Sequence, residues 1–251
     1  MDDGLESVKL SLENINDLRD VKENPVVSSV LLAPIKAIPV IGDLLDSSID
    51  KSLEIFQQKK EQELIDMILK NSHSITSDMV NDVEFIVNYA RVREAVRRLA
   101  TNDKVKFFGN LIRNGYLSDT HIQSSVFDEY INILNSMSYR EILYLVDYKK
   151  YCEDYSKKSK SSKNISGRTY NNKFPQFCKD YSQKNNITQR EINFVFMHLK
   201  QTGFVEEEFE TESGDVDEDD NTFNSLSVDS TGYYITKDFL EFYEMVLKMD
   251  E

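Results

Sequence analysis

Along most of this chain apolar side chains return at three- and four-residue steps, a spacing that lines one face of an α-helix and never one face of a strand. Residues 5–22 carry Leu5, Val8, Leu12, Ile15, Leu18 and Val21 in that rhythm. Residues 43–69 continue it with Leu44, Leu45, Ile49, Leu53 and Phe56, then Leu64, Ile65 and Ile68, with the charged KKEQE between them on a solvated outer face. Residues 76–100 repeat the theme with Met79, Val80, Val83, Val87, Ala90 and Leu99, and Glu94 stands three and four residues before Arg97 and Arg98, pairs that support a helix. Helices over 104–113, stopped by Asn114-Gly115, and over 126–134 follow. A mainly α fold is expected, in keeping with only 8 Gly and 4 Pro in 251 residues.

Two capping boxes mark further helix starts. Ser138-Tyr-Arg-Glu141 precedes Ile142, Leu143, Leu145 and Val146, and Thr188-Gln-Arg-Glu191 opens a helix over 189–202 that stops at Gly203. A short helix over 174–184 lies between them. Phe204 to Phe209 and Tyr233-Tyr234-Ile235 are β-prone, and Thr236 caps a last helix over 237–248. Three helices, a strand, a long turn, a strand and a helix is the order of a winged helix-turn-helix with a C-terminal extension. The expected organisation is a helical bundle over 1–135 and a winged-helix-like domain with a small β-hairpin over 136–251, containing a mobile Lys/Ser loop at 149–168 and an acidic wing at 206–222.

The net charge of −14 is concentrated, since residues 206–220 hold ten carboxylates, Glu206, Glu207, Glu208, Asp215, Asp217 and Asp219 among them, and no basic residue. Outside that stretch the balance is about −4, an ordinary surface. A DNA-reading helix works by neutralising phosphates, yet residues 189–202 offer only Arg190, Lys200 and His198, beside a wing of like charge to the duplex. DNA is therefore a poor partner; a protein partner or self-association suits this module better. Residues 215–221 alternate carboxylates like a calcium loop, but the sixth position is Asp220 rather than Gly and the twelfth is Leu226 rather than Glu, so a solvated acidic hairpin is the better reading.

Residues 91–113 run the other way, with Arg91, Arg93, Arg97, Arg98, Lys104, Lys106 and Arg113 against Glu94 and Asp103. They form either a nucleic-acid or lipid-headgroup surface or, in the favoured reading, a salt-bridged helix face packed beside acidic helices of the same chain. The apolar residues 25–45 (PVVSSVLLAPIKAIPVIGDLL) are broken by Pro34, Pro39 and Gly42 and fall short of an uninterrupted span of about 20 residues. They read as a core hairpin; the competing reading is a displaceable membrane-active segment presenting Ile35, Ile38, Val40 and Ile41 to a bilayer.

His73, His121 and His198 have no neighbour at ligand spacing, and Cys152 and Cys178 are the only cysteines, flanking a polar stretch. There is no Gly-rich phosphate loop, GxSxG elbow, HExxH or Cys–His pair, and no cofactor, metal or small-molecule substrate is indicated. Residues 1–24 are acidic and polar, unlike a secretory leader, so a cytoplasmic location is expected, with the inner membrane face as the alternative for a membrane-acting chain.

With AIPVIGDLLD, KFFGNLIRNG, FDEYINILNSMSYREILYL, LKQTGFV and GYYITKDFLEFY in hand, the chain resembles bacterial helical proteins of the abortive-infection alpha type. The resemblance implies a non-enzymatic role in antiphage defence, as a growth-arresting effector or its regulatory module. It carries over no catalytic residue. The alternative from another class is a transcription regulator whose winged helix works as a dimer.

Overall fold

A computed structural model describes residues 8–10, 12–13, 47–70, 79, 82–118, 122–159, 173–212 and 227–248. The chain is mainly helical with a two-stranded antiparallel sheet, and it divides into two compact units, Met1–Ser136 with Met245–Glu251, and Met137–Glu244. The expected 25–45 segment, with Ile35, Ile38, Val40 and Ile41, lies outside the described residues, as do Asp215, Asp217 and Asp219.

In the first unit, helices α1 (Ser47–Leu69), α2 (Val83–Arg98), α3 (Val105–Gly115) and α4 (Ser124–Ser136) form where the periodicity puts them. Asp82 starts α2, its carboxylate accepting the amides of Glu84 and Phe85 at 3.1 and 3.3 Å. The Tyr116 hydroxyl donates to the same carboxylate at 2.5 Å and, together with the Phe85 amide, holds Asp82 below the usual carboxylate range. The core takes Leu64, Ile65 and Ile68 from α1, Phe85, Tyr89, Val92 and Val96 from α2, Phe108, Leu111 and Ile112 from α3, and Phe127 and Leu134 from α4.

α1 packs closely on α3. A Cβ added to Gly109 would sit 2.5 Å from the Met67 Cβ, so only glycine lets these backbones approach as they do. Two lysines close helix ends from inside. Lys60, 1% exposed, donates to the carbonyls of Arg97 and Leu99 at 2.8 and 2.7 Å, where α2 runs out of amides, and buried Lys104 donates to the Leu134 carbonyl near the end of α4. Burial pushes the Lys60 ammonium below its ordinary pKa.

The chain's C-terminal turn belongs to this unit too. Asn110 donates to the carbonyls of Val246 and Lys248 at 3.0 and 3.2 Å, and Asn114, one helical turn on, to that of Met245 at 2.8 Å. The last helix is accordingly not the single α-helix over 237–248 that the spacing suggests. α8 (Lys237–Phe242) passes into a π turn, Tyr243–Leu247, whose carbonyls find side-chain donors instead of helical amides.

In the second unit, α5 (Tyr139–Ser159) starts on a reciprocal capping box, the Glu141 amide donating to Ser138 Oγ at 3.2 Å and the Ser138 amide to Glu141 Oε2 at 2.6 Å. The loop expected at 149–168 is corrected in its first part, because α5 runs on to Ser159. Lys149 pairs with Glu153 at 2.5 Å and lies over the Tyr243 ring, Cys152 is buried, and Tyr151 donates to Asp180 at 3.0 Å, so this polar composition hides an anchored inner face. Residues 160–172 lie outside the described residues.

Helix α6 (Phe174–Asn185) ends on Asn186 in the left-handed conformation, φ 53°, and after Ile187 the Thr188 hydroxyl accepts the Glu191 amide at the start of α7 (Gln189–Leu199). A 3-10 turn, Lys200–Thr202, stops at Gly203, φ 74°. Strands β1 (Val205–Glu212) and β2 (Ser227–Ile235) then pair antiparallel, Val205 opposite Ile235 and Glu207 opposite Tyr233, with an irregularity after Glu208. Both strands are longer than the β-prone runs alone suggest.

Tyr148 centres this unit's core. Its ring lies 5.5, 4.9 and 5.3 Å from those of Phe174, Phe177 and Phe196, and its hydroxyl donates to the Tyr233 carbonyl at 2.6 Å, joining α5 to β2. Cys152 and Cys178 are both buried and in no disulfide, and burial pushes each thiol up to about 12.

Candidate docking face

The arginine-rich run is answered inside the first unit. Arg91 reaches Asp128 on α4 at 2.5 Å; Arg93 and Arg97 reach Glu61 on α1 at 3.1 and 3.4 Å; Arg98 pairs with Glu94 one turn back at 2.9 Å. Arg97 also donates to Gln57, Arg113 to the Lys70 carbonyl, and Lys104 is the buried helix-end donor already described. Glu61 is the hinge of this arrangement, largely buried and bridged by two guanidinium groups. Arg93 and Arg97 are thus turned onto buried Glu61, while the Arg91–Asp128 and Arg98–Glu94 pairs lie nearer the surface.

The carboxylates on β1 are placed differently. Glu207 lies 2.7 Å from the Lys200 ammonium; Glu206 is exposed and accepts the Tyr234 hydroxyl; Glu208 is half-buried, opposite Gly232. With Glu210, Glu212 and Asp229, the two strands carry six carboxylates and no lysine or arginine.

Next to this hairpin is a feature that the charges do not announce. α7 has the sequence QREINFVFMHL, in which Ile192, Phe194, Val195, Phe196, Met197 and Leu199 crowd eight positions. One helical face cannot bury them all. Ile192, Val195, Phe196 and Leu199 turn inward, while Arg190, Asn193, Phe194, Met197 and Gln201 form the outer stripe, with Phe194 54% and Met197 53% exposed. The Phe194 ring stacks at 4.8 Å on His198, which in turn lies 3.6 Å from Glu141.

The stripe does not stop at the helix. Lys200, at the foot of α7, both pairs with Glu207 and lies 5.6 Å from the ring of Phe209, itself 50% exposed. Phe194 and Met197 are thus exposed on α7, and Phe209 is exposed on the adjoining strand beside Lys200. An aromatic side chain buries about 150–250 Å² when covered. Fully burying a Phe or Met side chain stabilises by about 1.5–3 kcal/mol, so covering the exposed halves of Phe194 and Met197 would contribute about 1 kcal/mol each.

Of the residues singled out on charge, Arg91, Arg93 and Arg97 gather around Asp128 and Glu61, Arg98 pairs with Glu94, Lys104 ends on the Leu134 carbonyl, Glu206, Glu207 and Glu208 line β1, and Asp215, Asp217 and Asp219 are not described. Phe194, Met197 and Phe209 escaped the charge-based reading; the excess of apolar residues in α7 was the available signal. Among the described residues no group of His, Cys, Asp and Glu is disposed to hold a metal ion, and no helix is long and apolar enough to cross a membrane. Compared with protein-family models, with curated proteins and with solved structures, the chain finds no match.

Proposed function

We propose that this chain is a non-catalytic interaction protein whose second unit, built in winged helix-turn-helix order, holds a protein partner on the outer stripe of α7. The order α5, α6, α7, β1, β2, α8, with three residues between α6 and α7, supports the winged-helix reading. What carries the partner assignment is the stripe itself. A helix that reads duplex DNA presents cations and amides to phosphates and base edges. α7 contains Arg190 as its sole lysine or arginine and sets Phe194 and Met197 in the centre of the face that would meet the groove.

Large, half-exposed apolar side chains on a rigid helix are the anchors that dominate protein–protein contacts. The likeness to abortive-infection alpha-type proteins extends the proposal to growth arrest in antiphage defence, with the partner as the route to that effect. The test is a pair of measurements on the full chain. Duplex DNA titrated at low salt should bind no better than it does to an unrelated protein of equal negative charge. Overexpression in a bacterial host should slow growth, and Phe194→Ser with Met197→Ser should relieve the arrest without lowering the melting temperature. Tight DNA binding with a steep salt dependence, or arrest unchanged by the double substitution, would overturn the proposal.

A further inference from the structure

We infer that the partner seated on Phe194, Met197 and Phe209 is a cationic amphipathic helix, its apolar stripe on these three side chains and its Lys or Arg flank toward the hairpin; the inference rests on the docking reading above. The first observation is geometric. Phe194 and Met197 are three residues apart on the outer face of one helix, and the exposed Phe209 lies beside Lys200 at the foot of that helix, an open row of apolar side chains interrupted by the lysine. A strip of this kind matches the i, i+3, i+4 and i+7 anchors of a second helix laid along it.

The second observation is electrostatic. Of the cations beside the strip, Lys200 is held by Glu207 and Arg140 by Glu191 and Tyr144, while Arg190 stands exposed at the N-terminal end of the stripe, away from the hairpin. The hairpin strands add six carboxylates and no lysine or arginine. A partner with acidic flanks would meet this field as like charge, whereas a basic one is drawn to it over roughly a Debye length of 8 Å at physiological salt. Apolar contact supplies the seat, and the charge selects which amphipathic helix takes it.

The probes are two synthetic 14-residue amphipathic helices of identical apolar pattern, one of Leu and Lys and one of Leu and Glu, titrated against the full chain at physiological salt. The Leu/Lys peptide should bind at least tenfold more tightly than the Leu/Glu peptide. Phe194→Ser with Met197→Ser should weaken it about tenfold at unchanged melting temperature. Replacing Glu206, Glu208, Glu210 and Glu212 by Gln should flatten the salt dependence and leave the apolar contribution in place.

Four results would overturn the inference, and they separate it from the reading beneath it. If the Leu/Glu peptide binds as well and still needs Phe194 and Met197, the cationic partner falls and the docking face stands. If sedimentation shows a dimer that the double serine variant abolishes, the occupant is a second copy and again only the inference falls. If the Leu/Lys peptide ignores the serine substitutions but is lost with the glutamines, the binding is mere charge attraction. If neither peptide depends on any of these residues, docking reading and inference fall together.

Discussion

Replacing Gly109 by Ala sets two effects of known size against each other. In an unconstrained helix interior the change stabilises by about 1 kcal/mol, because glycine surrenders the most backbone entropy on folding. Gly109 is buried near the middle of α3, and the new Cβ would stand 2.5 Å from the Met67 Cβ, whereas carbon atoms in good contact sit about 3.5–4.0 Å apart. No rotamer change relieves this, since Met67 Cβ is fixed to the backbone of α1. The two helices must part by about 1 Å, loosening the buried layer of Phe108, Leu111 and Ile112 beside them.

Overpacking of this sort costs about 1–3 kcal/mol, and repulsion rises steeply below contact distance, so the upper half of that range applies. The expected net is a destabilisation of about 1–2 kcal/mol, read as a lower urea midpoint at an unchanged m-value. In a Met67→Gly background the obstructing atom is gone, and the same Gly109→Ala change should become stabilising. That sign reversal is the signature of direct contact in a double-mutant cycle. A higher midpoint for Gly109→Ala in the otherwise unchanged chain would refute the close approach of α1 and α3.

Lys60→Met keeps the shape but removes the donor to the Arg97 and Leu99 carbonyls, and should cost about 2–4 kcal/mol as two charge-assisted bonds are lost against relief of a buried charge. Because burial lowers the Lys60 pKa, the unfolded chain binds more protons than the folded one as pH approaches the ordinary 10.5, so stability relative to Lys60→Met should rise with pH through that region; melts of both proteins at pH 8, 9 and 10 showing a flat or falling difference would refute this. Tyr148→Phe retains the aromatic cluster and loses the hydroxyl, with its 2.6 Å bond to Tyr233 and its hydrogen bond with Cys152, for an expected loss of about 1–2 kcal/mol in a denaturant melt; no loss would mean that the hydroxyl contributes nothing. Cys152 and Cys178, buried and with pKa values pushed up to about 12, should resist iodoacetamide at pH 8 until the chain unfolds, and rapid labelling of the native protein, read by mass spectrometry, would contradict their placement.

The elements that were legible are those fixed by local chemistry. The Ser138 and Thr188 caps, the stop at Gly203 and the start of α8 at Thr236 depend on side chains within a few residues of the backbone they serve, and each is found where the sequence puts it. The helix through residues 149–159 was not legible because its support comes from far along the chain. Asp180, Tyr243 and Lys173 partner Tyr151, Lys149 and Tyr155, and a stretch rich in Lys and Ser reads as a loop until those partners are in place. The π turn at Tyr243–Leu247 has the same origin, since the amides of Asn110 and Asn114 that meet its carbonyls lie more than a hundred residues earlier.

The same distinction governs the reading of charge. Seven cations in 23 residues look like a surface for anions only while their partners are unknown, and the partners of Arg91, Arg93 and Arg97 stand 32 to 37 residues away at Asp128 and Glu61. Lys60 and Lys104 go further, ending on main-chain carbonyls that carry no sequence signature at all. A helix with more apolar residues than one face can bury is different, because it cannot hide the surplus by folding on itself. In α7 four large side chains already fill the inner face, and Phe194 and Met197 lie exposed on the other, so the surplus marks this helix as one that needs a second surface to cover it. Counting apolar residues against available faces therefore finds an exposed apolar face more securely than counting charges finds an exposed basic one. On this chain that count points to α7 rather than to the arginines.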